Sequence, residues 1–201
     1  MDTVKKCNPH RKNLSQLLFF GALLLAFCTS LWAQGGSDNP DHPAGNVNEL
    51  TLAGLRPGYS TLHEAEHLYG AHWFHPSPQE KDLYLWNDPA RRLLLSAEVD
   101  PHGVIRVVSV TRVQRSSDAS TALPMRAEAT GRGVRLGDTQ QRLLQVYGKP
   151  FFEGPSSLDG QDVHLIVFNF SWAGADKPQI LESSFDASGH LIKMTLSAEY
   201  Y

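Results

Sequence analysis

The chain has 201 residues, 41% of them hydrophobic and 19% charged, with a formal net charge of −3. That is enough chain for the core of one or two domains, and it excludes a wholly disordered protein and a strongly basic nucleic-acid binder. The two cysteines, Cys7 and Cys28, can form neither a disulfide framework nor a four-cysteine zinc site.

Lys5, Lys6, Arg11 and Lys12 precede an uncharged run, LLFFGALLLAF, over 17–27, and Cys28-Thr29-Ser30-Leu31-Trp32-Ala33-Gln34 follows. A basic region, a short apolar core and a small residue at the exit describe a signal peptide, here 1–33 with cleavage after Ala33. Two alternatives stay open. The uncharged stretch 13–34 is about long enough for an uncleaved anchor, although Thr29 and Ser30 interrupt its apolar part. Lipidation at Cys28 is the other, but Phe27 stands where a lipobox takes a small residue. Cleavage removes four of the 18 Lys and Arg and one of the 21 Asp and Glu, leaving a net charge of −6, no cysteine and no membrane span. A cysteine nucleophile and thiolate metal sites then drop out.

Residues 34–49 are rich in Gly, Pro, Asn and Asp and read as a flexible leader. Beyond them the chain compares well with itself. Gly54-Leu55-Arg56-Pro57-Gly58 recurs as Gly133-Val134-Arg135-Leu136-Gly137, 79 residues on. Each copy leads into a short helical pattern ending in Tyr-Gly, at Tyr69-Gly70 and Tyr147-Gly148. Further on, Asp100-Pro101-His102-Gly103 matches Asp186-Ala187-Ser188-Gly189, each between two strand patterns. The expectation is repeat unit 1 over 50–115, a linker over 116–130 and repeat unit 2 over 131–201. Helices are expected at 60–69, capped by Ser60, and at 139–147, capped by Asp138 or Thr139. Strands are expected at 83–86, 93–99 and 104–113, then at 163–170, 180–185 and 191–198. Arg91-Arg92, beside Pro89, reads as a solvated turn.

The phrase G-V-R-L-G-D-T-Q-Q-R-L-L-Q-V-Y-G-K-P, Gly133 to Pro150, resembles the signature of small exported bacterial domains of the SmpA/OmlA (BamE) type and of the tandem-repeat β-lactamase inhibitory proteins. The likeness covers 50–201. It implies an α+β fold of two tandem units, each a short helix on an antiparallel β-meander, with the two sheets making a concave surface. It also implies an extracytoplasmic, non-enzymatic protein that works by binding another protein, as an envelope-assembly accessory or an inhibitor of a secreted enzyme. The first copy departs from the pattern, with Gly70-Ala71-His72 in place of Gly-x-Pro, and each unit shows three strands where the inhibitory fold has four. The inhibitors' enzyme-contacting residues find no counterpart here, so β-lactamase inhibition itself is not implied.

A competing motif is His63-Glu64-Ala65-Glu66-His67, which fits H-E-x-x-H. On a helix the two histidines share a face and can hold Zn²⁺, with Glu64 as general base of a zinc-dependent hydrolase. Against this, the helix ends at Gly70, no third ligand stands at a recognised spacing, and the second copy has Gln141 and Gln145 at the histidine positions. His63 and His67 therefore read chiefly as surface histidines and as candidate metal ligands. No other cofactor is expected.

Strand alternation selects a candidate docking surface. In 83–86 the leucines point one way and Tyr84 and Trp86 the other. In 163–170 one face collects Ile166, Phe168 and Phe170, with Trp172 just beyond. If helices cover the aliphatic face, then Tyr84, Trp86, Phe168, Phe170 and Trp172 form an open aromatic face for a protein partner. The alternative is that this second face is also covered, by the other unit or by the loop around Trp73-Phe74.

Overall fold

The computed structural model describes residues 50–113, 122–170 and 178–198, all within the compact unit Asp41–Tyr201. The expected signal peptide and leader, Cys28, Trp172 and part of the expected linker lie outside the described residues.

Among the described residues there are two α-helices, α1 (Leu62–Tyr69) and α2 (Gln140–Tyr147). Seven strands accompany them: β1 (Leu83–Asp88), β2 (Leu93–Val99), β3 (Ile105–Arg112), β4 (Phe152–Leu158), β5 (Gln161–Phe170), β6 (Gln179–Phe185) and β7 (Leu191–Ala198). All seven join one antiparallel sheet in the order β1-β2-β3-β7-β6-β5-β4. The fold is thus α+β. The resemblance implied two sheets, whereas here β3 and β7 pair directly, Ser109 opposite Thr195, and the sheet is continuous.

The helices begin one residue later than the sequence suggests in the first case. The cap of α1 is Thr61, not Ser60: its hydroxyl accepts from the Glu64 amide while the Glu64 carboxylate accepts from the Thr61 amide. This reciprocal box satisfies two free donors of the first turn. The Ser60 hydroxyl instead accepts from the Arg56 amide. Thr139 caps α2 through the Arg142 amide. Gly70 and Gly148 end the helices at φ 83° and 79°, where a side chain would be strained.

Two hairpin turns fix both helices. In each, an aspartate carboxylate accepts two backbone amides, from His102 and Val104 at Asp100 and from Ser188 and His190 at Asp186. The residue after each turn then reaches the segment that starts a helix: Ile105 N–H donates to the Ser60 carbonyl and Leu191 N–H to the Asp138 carbonyl. In return Gly58 N–H donates to the Ile105 carbonyl, and Gly137 N–H to the Leu191 carbonyl, both at 2.7 Å. Each helix start is tied to a strand start, which lays the helix on the sheet.

One strand escapes sequence reasoning. β4 reads FEGPSSL, with Gly154 and Pro155 in the middle and no side chain buried. Only an edge strand tolerates that composition, because proline cannot donate to a ladder on both sides. The expected linker is also more than a connector. Leu123 and Ala127 are buried, and a 3₁₀ turn spans Met125–Glu128. Nor is Arg91 merely solvated: its guanidinium lies 3.0 Å from the Glu128 carboxylate and donates to the Leu123 carbonyl at 2.6 Å. The buried Asp88 carboxylate completes this anchor by accepting from the Leu123 and Arg91 amides.

Candidate functional site

Antiparallel partners share a face of the sheet, so the register decides what each face carries. The side bearing Trp86, Leu95, Val110, Met194, Leu181 and Phe168 is the core side, and all six are buried. Both helices pack there. The Trp86 indole donates to the Gly70 carbonyl at 2.8 Å, and its ring lies 6.1 Å from Tyr69. Tyr147 lies 5.5 Å from Phe168 and 5.8 Å from Phe170.

This corrects the expected aromatic surface. Trp86 is 0% exposed, and Phe168 and Phe170 are buried beside it in the same core cluster. Tyr84 is half-buried, packed edge-on against Trp73 at 4.7 Å and beside His75 at 4.9 Å. The reason is the size of the helices. Each has eight residues and offers the sheet few buried contacts, Ala65 and Tyr69 from α1 and Leu143 from α2. Interiors close-pack without sizeable voids, so large rings from the strands fill what short helices leave open.

The other face carries neither helix. One row of paired residues crosses the sheet from edge to edge: Phe74, Leu85, Ser96, Ser109, Thr195, Glu182, Val167 and Phe152. Its ends are apolar and its middle is polar. Thr195 Oγ1 donates to Ser109 Oγ at 3.1 Å, and Ser109 Oγ donates to the Met194 carbonyl. Glu182 is exposed between them and Val167. Phe152 is 47% exposed, and its ring lies over Gly154, where an added Cβ would meet it at 3.1 Å. Half-buried Leu83, Leu94, Val107, Ile180 and Leu165 lie on the same side. Sequence reasoning missed Phe152 and Glu182 because it missed β4 and picked the wrong face. One signal was present: Phe74 and Phe152 each stand five residues after the tyrosine that closes a helix.

Both edges of the sheet are blunted. At β1, Phe74 and Leu85 exchange two backbone hydrogen bonds of 3.0 Å, and His75 Nδ1 meets the Leu83 carbonyl at 2.8 Å. At β4, Pro155 takes a donor out of the middle of the strand. Such devices discourage strand-to-strand association.

His63 and His67 are both exposed on α1. With Gly54, Leu55, Ser60, Glu64 and Leu68 they line a shallow groove beside the helix. Glu64 is held in the cap, and Glu66 accepts from the Trp73 indole at 2.8 Å. Among the described residues, no group of three or more His, Cys, Asp or Glu comes together as a metal site. Among them, too, no helix is long and apolar enough to cross a membrane.

No family model matches the chain, and no curated protein matches it. Among solved structures, a DUF4309 family protein (YjgB) from Bacillus subtilis is similar at 12% identity with a TM-score of 0.47. That match covers 76% of this chain and 88% of the other.

Proposed function

We propose that the chain is an exported, non-enzymatic protein-binding module, built from two tandem helix-and-meander units and acting at the bacterial envelope or outside the cell. Its role is that of an envelope-assembly accessory or an inhibitor of a secreted enzyme, the activities that the SmpA/OmlA-like and inhibitory-protein-like phrase implies. The tandem reading is supported by the paired hydrogen bonds at Gly58 and Gly137, at Asp100 and Asp186, and by the threonine cap on each helix. Export is supported by the N-terminal pattern of charge and apolar residues.

The observation that carries the binding role is the helix-free face with its edges blunted. Seven strands at about 4.8 Å spacing span about 30 Å, so the face is of the order of the roughly 800 Å² patch that each partner brings to a stable complex. Apolar groups at its ends and hydroxyls at its centre give both area and orientation.

The test compares recovery of protein partners from envelope and extracellular fractions by the wild-type chain and by Phe152→Ala and Glu182→Lys variants. A partner that the wild type retains and both variants lose, with melting temperature unchanged, supports the reading. Equal recovery by all three defeats it. Export is checked by the mass of the protein collected outside the cytoplasm, which should match a chain beginning at Gln34.

A further inference from the structure

We infer that α1 carries a two-histidine chelate for a divalent first-row transition-metal ion, separate from the docking face. His63 and His67 stand four residues apart on α1, are both exposed, and open onto the groove lined by Gly54, Leu55, Ser60 and Leu68. That spacing puts their Cβ atoms about 5–6 Å apart, close enough for two imidazoles to reach one ion. Imidazole pairs suit Zn²⁺, Ni²⁺ and Cu²⁺, with Cu²⁺ bound most tightly.

The neighbouring groups define the site by what they withhold. The Glu64 carboxylate accepts from the Thr61 amide at 3.0 Å, and Glu66 is engaged by Trp73. His75 is turned to the Leu83 carbonyl and packed at a tilt against Trp73 and edge-on to Tyr84. Two imidazoles thus supply the protein's share, and water or a ligand from outside completes the coordination. With the carboxylates of Glu64 and Glu66 held by the Thr61 amide and the Trp73 indole, the site binds rather than hydrolyses. An ion held across one turn stabilises α1 by mass action. The groove lies on the helix side of the sheet, so the ion and a docked partner do not compete for space.

The experiment uses the full chain purified without a histidine tag, titrated calorimetrically with Cu²⁺ alone and with Zn²⁺ alone. The melting temperature is recorded with and without metal. One ion per chain is expected, together with a metal-dependent rise in melting temperature. His63→Ala and His67→Ala should each weaken binding by more than the roughly tenfold typical of losing an outer-shell partner. His102→Ala, in the hairpin turn, should leave binding unchanged. Glu64→Gln keeps a capping side chain and should also bind as the wild type does. Absence of saturable one-to-one binding overturns the inference, and so does binding that survives both His63→Ala and His67→Ala. Loss in Glu64→Gln overturns the claim that this carboxylate stays out of the site.

Discussion

The hydroxyl of Tyr69 donates to the carbonyl of Ala53, a residue held at φ 57° in the tight turn closed by Leu52 and Leu55. The ring is buried against Trp86. Burial pushes the Tyr69 pKa up to about 12, with the Arg126 charge pulling slightly the other way, because a phenolate there would lose its water. Tyr147, which closes the second helix, is raised for the same reason. A folded pKa above the unfolded one means the stabilisation is complete below the unfolded value of 10.0 and is lost as pH climbs toward the folded value. We expect the urea midpoint to fall between about pH 10 and 12. In Tyr69→Phe the fall should be shallower, with a remainder due to Tyr147. Equal slopes for wild type and variant would show that Tyr69 does not control alkaline stability.

At the scale of the element, β4 shows how composition and position constrain each other. Exposed Phe151 precedes and exposed Phe152 opens a strand that then turns polar and holds Gly154 and Pro155. The glycine makes room for the Phe152 ring, and the proline removes a donor from the free edge. Pro155→Thr restores that donor. Its expected effect on monomer stability is within about 0.5 kcal/mol, as for other surface changes, while self-association measured by light scattering should rise with concentration. A variant as monodisperse as the wild type would mean that another feature protects the edge. The sequence hid β4 because Gly and Pro signal a turn unless the strand is known to lie at an edge, and edge position is a property of the whole sheet. The internal strands were legible because alternation alone specifies them, as in β2 with every second side chain buried.

Across the whole molecule, the two halves hold each other through reciprocal contacts. Arg112 of β3 donates to the Leu136 carbonyl ahead of α2, and Gln179 of β6 donates to the Pro57 carbonyl ahead of α1. The β3–β7 pairing runs the core from one half into the other. Core and face aromatics should then separate cleanly on mutation. Trp86→Ala empties a fully buried site and breaks its hydrogen bond to Gly70, so denaturant titration should show a loss of about 3–5 kcal/mol. Phe152→Ala should cost about 0.5 kcal/mol or less. If the two cost the same, the assignment of one face to the core and the other to solvent is wrong.

The two helices with their glycine ends, both aspartate turns and the alternation of the other six strands were readable from residues near in sequence, because left-handed glycines, turn chemistry and two-residue periodicity are local physics. Which face became the core was not. Along β1 leucines alternate with aromatics, and along β5 Leu165 and Val167 alternate with Ile166, Phe168 and Phe170, so either set satisfies a half-buried strand. The choice fell to the aromatics because eight-residue helices leave a layer that only large rings fill, and that balance of volumes exists only once helix and sheet meet. The same holds for Phe152 and Glu182. Their shared face with Ser109 and Thr195 follows from pairings between distant strands, and the pairing of β3 with β7 makes that face continuous.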